Sequence, residues 1–147
     1  MKTLLTTVAA VAVTATAAFA DGHTAPANIV VVTHGSDTDA FWGVVRNGVE
    51  AAAEATGADV QYRNPPTGDL NEMAALIEAA TAQGPDGIVV SIPDPDILSG
   101  PIAGAIEAGI PVISINSGAG VSAELGALMH VGLPEYDAGL GGGQRSV

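Results

Sequence analysis

The chain has 147 residues, enough for one domain, and 48% of them are hydrophobic, which allows a packed core. Sixteen acidic residues against four basic ones give a net charge of −12, which argues against nucleic-acid binding because phosphates are neutralised by Lys and Arg. The sequence contains no Cys, which excludes disulfides, thiolate catalysis and cysteine metal sites.

The first twenty residues have the pattern of a cleaved secretory signal. Lys2 is followed by an apolar stretch, and Ala18-Phe19-Ala20 fits a small-x-small cleavage site. A membrane anchor is the weaker interpretation, because the apolar run is about 15 residues long and a spanning helix needs about 20. We therefore predict a periplasmic protein that is released without a lipid anchor, with residues 21–27 as a loosely attached leader.

Runs of β-branched residues alternate with amphipathic patterns along the rest of the chain. Alternation of this kind predicts a parallel sheet with helices on both faces, in which the strands are near-continuous apolar runs. The expected strands are Ile29–Thr33, Asp59–Arg63, Gly87–Ile92, Ile110–Ile115 and a less regular fifth at Leu125–Val131.

Capping residues and prolines set the expected limits of the helices. The first pattern begins near Asp39 and ends at Gly57, a residue suited to the left-handed conformation that ends a helix. The second has Asp69 as its N-cap, with Glu72 three residues later, and closes at Gln83–Asp86. Because proline lacks an N–H, we expect the third helix to start near Gly100–Pro101, with Ser99 as cap, and to end at Gly109; a last helix begins at Glu135.

Polar turns follow every predicted strand, and parallel topology brings these turns to one edge of the sheet. Ligands of open α/β sheets bind at this edge. Hydroxyl, amide and carboxylate groups beside the aromatic pair Phe41 and Trp42 suit a neutral polyhydroxylated ligand, because an aromatic face covers the apolar side of a sugar ring. The expected segments are His34–Asp39, Asn64–Asp69, Pro93–Asp96, Asn116–Gly118 and Leu133–Glu135.

The acidic pair around Pro95 has three interpretations. Asp94 and Asp96 suit a turn or a helix cap, and Asp94 also suits hydrogen bonding to ligand hydroxyls. Paired carboxylates are used in glycoside hydrolysis, but two aspartates two residues apart on a turn are a weak signal for it.

Other chemistries have little support in the sequence. No second His stands at metal-ligand spacing from His34, so we expect its ring to bond a ligand or a loop. No glycine-rich phosphate loop follows the first strand, and we predict no metal and no cofactor. Phe41 and Trp42 also suit the first turn of a helix as core residues, but two adjacent aromatics cannot both face the sheet.

Several of these segments in order resemble a known family. They are the secretion signal, the opening strand with Phe41-Trp42, the run Asp86-Gly87-Ile88-Val89-Val90 followed by Pro93 and Asp94, and Gly109-Ile110-Pro111-Val112-Ile113. From about Asn28 to Gly143 the chain is similar to the amino-terminal lobe of type I periplasmic sugar-binding proteins, which are receptors for ABC importers.

The resemblance implies a flavodoxin-like, doubly wound lobe that binds sugar, is not an enzyme and docks on a membrane permease. It implies that Phe41 and Trp42 stack on the sugar ring or wall the pocket, and that Asp94 and Asn116 bond sugar hydroxyls. The neighbouring candidates are His34, Ser36 and Asp37.

Family members have two similar lobes that close on the ligand, so we expect residues 28–134 to be the first lobe and residues 135–147 a truncated start of the second. Losing half of the contacts would weaken binding by roughly a thousandfold.

Two alternatives stay open at this point. The first is a complete small flavodoxin-like domain for ligand binding or signalling, which would melt cooperatively as a monomer. The second is a periplasmic hydrolase that uses Asp94 or Asp37.

Overall fold

The computed structural model describes residues 25–145, which form five strands and four helices. The predicted signal peptide and residues 21–24 of the predicted leader lie outside the described residues. The leader's end is attached to the sheet, since the Asp59 N–H donates to the Ala27 carbonyl at 2.9 Å. The elements are β1 (Asn28–Val32), α1 (Ala40–Thr56), β2 (Asp59–Arg63), α2 (Leu70–Gln83), β3 (Gly87–Val90), α3 (Pro95–Glu107), β4 (Val112–Ile115), β5 (Met129–Val131) and α4 (Glu135–Arg145).

All strand pairs are parallel, in the order β2-β1-β3-β4-β5. The chain winds outward from β1 to β2, then returns past β1 and continues through β3, β4 and β5. The winding direction therefore reverses between β1 and β3, and the carboxyl ends of these two strands form the topological switch point. The predicted doubly wound parallel sheet is confirmed.

One face of the sheet packs against α2 and α3 to form the core. The strands contribute alternate residues such as Val30, Val32 and Val90, while Met73 and Ile77 of α2 are fully buried against them. Full burial of aliphatic side chains of this size stabilises by about 1.5–3 kcal/mol each. This rigid layer fixes the positions of the loops at the carboxyl edge.

The first two helices begin and end as expected. Asp39 accepts hydrogen bonds from the first turn of α1, and Gly57, at φ 73°, ends that helix. Asp69 accepts from the N–H groups of Asn71 and Glu72 at 2.8 and 3.0 Å, which lowers the pKa of its carboxyl. Gly84, also left-handed at φ 63°, ends α2.

The prediction for the third helix was wrong at its start. The helix begins at Pro95 rather than near Gly100–Pro101, and its N-cap is Asp94 rather than Ser99. Proline is well suited to a first helical position, and the Asp94 carboxylate accepts from Asp96 N at 2.9 Å. Pro101 lies inside the helix; burial of Leu98, Ile102 and Ala105 offsets its missing hydrogen bond.

Three strands are shorter than predicted. Strand β3 ends at Val90, although the Ser91 N–H still donates to the Val32 carbonyl at 3.2 Å. Strand β4 begins at Val112 rather than Ile110, and β5 covers only Met129–Val131. The segment before β5 forms turns instead, in which Leu125 packs on the core.

Within residues 25–145 no helix is long and apolar enough to cross a membrane.

The edge beside β5 carries a patch of exposed apolar side chains. A succession of exposed apolar side chains on one stretch of chain is typical of a surface that contacts another structural unit. The residues are Leu128, Met129, Val131, Leu133, Tyr136 and Leu140, which are 51–80% exposed.

Candidate functional site

A hydrogen-bonded pair, His34 and Ser91, occupies the switch point between β1 and β3. Ser91 Oγ lies 3.1 Å from the backbone N of His34 and 2.8 Å from its Nδ1. The backbone N–H donates to the serine oxygen, and the hydroxyl and Nδ1 share a second hydrogen bond in which either can be the donor, depending on the ring tautomer. Burial lowers the pKa of His34, and the nearby Asp39 carboxylate opposes this shift. Burial at the switch point therefore disfavours the charged form of the imidazole.

This pair predicts a pH dependence of stability. The pKa of His34 is lower in the folded protein, so the unfolded chain takes up the proton first as pH falls. The stabilising contribution is complete above the unfolded value near 6.5 and is lost as pH falls through the folded pKa. We expect the urea midpoint to fall between about pH 7.5 and about pH 5.5, and to fall less in His34→Gln. If the urea midpoint fell by the same amount in wild type and in His34→Gln over this pH range, this role of the imidazole would be contradicted.

A second polar group joins the ends of β1 and β2. Asn64 Nδ2 donates to Asp37 Oδ1 at 2.9 Å, and Asn64 Oδ1 accepts from Arg46 at 2.7 Å. The Arg46 guanidinium lies 4.8 Å from the ring centre of Tyr62. Asp37 is exposed and its N–H donates to the Pro66 carbonyl at 3.1 Å, so one carboxylate oxygen is oriented while the side chain faces solvent.

We expect the amide of Asn64 to be energetically coupled to Asp37. Asn64→Ala removes a hydrogen bond to a charged group, and the coupling in a double-mutant cycle with Asp37→Ala should be about 0.5–1.5 kcal/mol in the free energy of unfolding. Urea denaturation of the four proteins measures it. Gln83→Ala is a matched control, because it removes an amide that Arg63 contacts at 2.6 Å on an exposed surface; its effect should stay within about 0.5 kcal/mol. Additive effects of the two site substitutions would contradict the coupling.

The two aromatic residues point in different directions, as predicted for adjacent positions. Trp42 is 5% exposed and meets the His34 ring edge-on, with 4.8 Å between ring centres. Phe41 is 55% exposed and lies edge-on to Trp42 at 5.2 Å. Any side chain at Gly35 would overlap the Trp42 ring. Phe41 is therefore placed to offer a face to a ligand, and Trp42 supports it from beneath.

The other predicted ligand contacts lie at the ends of β3 and β4, the neighbouring strands. One carboxylate oxygen of Asp94 caps α3, and the side chain is partly buried. Asn116 is exposed and has φ 61°, an unfavourable conformation for most residues that Asn tolerates; its N–H donates to the Val131 carbonyl at 3.0 Å. Strain of this kind is concentrated at functional sites. Contact of both residues with ligand stays a prediction.

Ser36 is the least engaged of the predicted residues. Its hydroxyl lies 3.4 Å from that of Thr38, and its carbonyl accepts from the Asp39 N–H at 3.2 Å. These contacts shape the loop before α1. Ser36, Asp37, Phe41 and His34 thus share one loop and its helix, while Asp94 and Asn116 follow adjacent strands.

Sequence reasoning missed three residues that organise the site. Ser91 falls inside the predicted strand Gly87–Ile92, and the sequence pattern does not single out Arg46. Asn64 was noted as a strand end without a partner. A polar residue at the carboxyl end of a strand is the signal that could have singled out Ser91, after the buried β3, and Asn64, after the edge strand β2. Among residues 25–145 no cluster of three or more potential metal ligands occurs.

Comparison with known proteins places the chain in a family. A family model described as "Periplasmic binding protein domain" matches residues 29–146. The chain belongs to this family. Membership confirms the resemblance deduced from the sequence, and it implies an extracytoplasmic location for proteins of this kind.

The relatives of this periplasmic binding protein domain include a protein named for sugars and a structure that contains a polyol. A xylose/arabinose-binding protein, XylF, of Sulfolobus acidocaldarius is 33% identical over 60% of this chain and 22% of its own length. The periplasmic-binding protein YphF of an Escherichia coli ABC transporter is 32% identical over 55% of this chain and 25% of its own length. A carbohydrate transporter structure from Acidothermus cellulolyticus, solved with myo-inositol, is 39% identical, has a TM-score of 0.78, and covers 83% of this chain and 42% of its own. The chain thus spans less than half the length of these relatives.

Proposed function

We propose that this chain is a sugar- or polyol-binding lobe of a receptor for an ABC importer. The ligand lies at the carboxyl edge of the sheet, around the switch point between β1 and β3. Its partners are a second lobe, which closes on the ligand, and a membrane permease. The protein acts in the periplasm after removal of residues 1–20. The role is binding and release, without catalysis.

The observation that carries the proposal is the set of side chains gathered at this edge. His34 contributes a half-buried imidazole, Asp37 and Asp94 each have one carboxylate oxygen engaged in the protein, and Phe41 exposes an aromatic face. Donors and acceptors beside an aromatic face are the chemistry of a polyhydroxylated ring. The myo-inositol bound to the similar structure and the sugars in the relatives' names have this chemistry.

The exposed apolar patch beside β5 supports the two-lobed arrangement. Its six side chains lie at the edge strand and on the segment that follows it, where a second unit would cover them. Coverage of this patch would also bring the second unit next to the loops after β3 and β4. The proposed ligand site would then lie between the two units.

Paired substitutions at the start of α3 test the role of Asp94. Asp94→Asn keeps an N-cap, because Asn caps as well as Asp, but removes the charge offered to ligand hydroxyls. We expect the affinity for the sugar that binds best among myo-inositol, D-xylose, D-glucose and L-arabinose to fall about tenfold. Isothermal titration calorimetry measures this change.

Asp96→Asn is the matched control. Asp96 is exposed in the first turn of the same helix and is not a proposed contact. Its substitution should leave the affinity unchanged. Equal affinities of wild type and Asp94→Asn would remove Asp94 from the site. Absence of binding by wild type to every one of these sugars would contradict the proposed function.

A further inference from the structure

Ser117 has a buried hydroxyl for which the described part of the chain provides no partner. The residue is 8% exposed, and its Oγ is buried without a hydrogen bond. The other buried serines near the carboxyl edge are all paired: Ser91 bonds His34, and Ser114 lies 2.7 Å from Ser122. Leaving a buried hydroxyl unpaired destabilises a protein, and Ser117 is the unpaired one among these serines. Three other buried side-chain atoms of the described residues, Asn28 Oδ1, Arg46 Nε and His130 Nε2, also lack a partner, but they lie outside the cleft described below.

The backbone holds Ser117 in a fixed position. Its N–H donates to the Ile115 carbonyl at 2.8 Å, and its carbonyl accepts from the Ile92 N–H at 3.1 Å. The next residue, Gly118, has φ 96° and lies so close to Ile92 that a Cβ would be 2.5 Å from the Ile92 Cβ. The backbone of Ser117 is therefore held between the end of β4 and the segment that follows β3.

Ser117 lines a cleft of about 390 Å³ at the carboxyl edge. The wall is mostly apolar and is built from the loops after β3 and β4 and from the start of α4. A single unpaired hydroxyl in such a wall suits a ligand that carries hydroxyls on a hydrocarbon ring. The other lining residues are Ile92, Pro93, Pro95, Gly118, Ala119, Gly120, Val121, Pro134 and Tyr136.

We propose that Ser117 hydrogen-bonds one hydroxyl of the bound sugar or polyol, and that the apolar wall contacts the C–H groups of the ligand ring. This inference rests on the proposed function and adds a specificity-determining residue to the same site. A serine hydroxyl both donates and accepts hydrogen bonds, so it recognises a neutral ligand hydroxyl and does not select for a charged group. A site that is built to bond a hydroxyl discriminates against the analogue that lacks it.

Ser117→Ala and Ser122→Ala form a matched pair with opposite expectations. Ser117→Ala removes an unpaired hydroxyl, so the urea midpoint should stay equal or rise, while affinity for myo-inositol should fall about tenfold. Ser122→Ala breaks the pair with Ser114, so the midpoint should fall while affinity is retained. Calorimetry with monodeoxy-inositols adds a readout specific to the contact. Wild type should bind one of these monodeoxy-inositols more weakly than myo-inositol. Ser117→Ala should bind that monodeoxy-inositol and myo-inositol with equal affinity.

The outcomes separate the two proposals. If wild type binds neither myo-inositol nor the other sugars of the panel, the proposed function fails and the inference fails with it. If wild type binds and Ser117→Ala binds equally well, the inference is overturned and the proposed function stands. A lower midpoint for Ser117→Ala with unchanged affinity also overturns it, because the hydroxyl would then serve the fold rather than the ligand.

Discussion

Trp42→Ala is expected to lower the free energy of unfolding by about 3–5 kcal/mol, the usual result of emptying a buried site of this size. The indole fills the space beside Gly35, which has no room for a side chain of its own. It also holds the ring of His34 edge-on at 4.8 Å and supports Phe41. Its loss should therefore weaken sugar binding as well, because both neighbours are proposed to contact the ligand.

Phe41→Ala provides the comparison, since the Phe41 ring is more than half exposed. We expect it to change the free energy of unfolding by less than about 1 kcal/mol while weakening sugar binding. Urea denaturation followed by circular dichroism measures stability, and calorimetry measures affinity. A Trp42→Ala protein as stable as Phe41→Ala would show that the indole is not part of the core.

Gly118→Ala is expected to destabilise the protein by about 2–5 kcal/mol, because two penalties combine. A left-handed conformation costs a residue with a Cβ about 1–2 kcal/mol, and overpacking adds about 1–3 kcal/mol. Both apply here, since Gly118 has φ 96° and its added Cβ would meet Ile92. The strain would also shift Ser117, so sugar affinity should fall together with stability.

Gly120→Ala is the control on the same loop. A Cβ at Gly120 has nothing within 4 Å and the residue does not need a positive φ. Its effect on the free energy of unfolding should stay within about 0.5 kcal/mol. The urea midpoints of Gly118→Ala and Gly120→Ala measure the two effects. Equal midpoints would mean that the loop relaxes around the methyl group added at Gly118 without cost, and that Ser117 is not rigidly held.

Much of the fold could be predicted because local signals agree with the tertiary structure. Strand-like runs predicted the first four strands and, less regularly, the fifth, and Asp39, Asp69 and Gly57 marked helix limits through hydrogen bonds made within a few residues. The start of α3 differs from the prediction because the helix tolerates Pro101 in its interior and is capped at Asp94. Burial along the α3 face is a tertiary effect that the sequence pattern does not quantify.

The site was predictable as a location and less so as a set of contacts. Parallel topology brings together the strand ends that carry His34, Asp37, Asp94 and Asn116, and the resemblance to a known family singled out Asp94 and Asn116 among the residues there. The pairings of His34 with Ser91 and of Asp37 with Asn64 depend on distances between residues 57 and 27 positions apart. The unpaired hydroxyl of Ser117 is visible only when all of its neighbours are placed.

The central claim is that the loops at the carboxyl edge of this chain bind a sugar or polyol. The most direct test is a titration of the ¹⁵N-labelled protein with myo-inositol, D-xylose, D-glucose and L-arabinose, followed by amide chemical shifts. The method detects millimolar affinities, which correspond to only about 4 kcal/mol of binding free energy. We predict saturable shifts with at least one sugar, centred on His34–Trp42, Ser91–Asp94 and Asn116–Val121. Shifts centred elsewhere, or none at any concentration of these sugars, would contradict the claim.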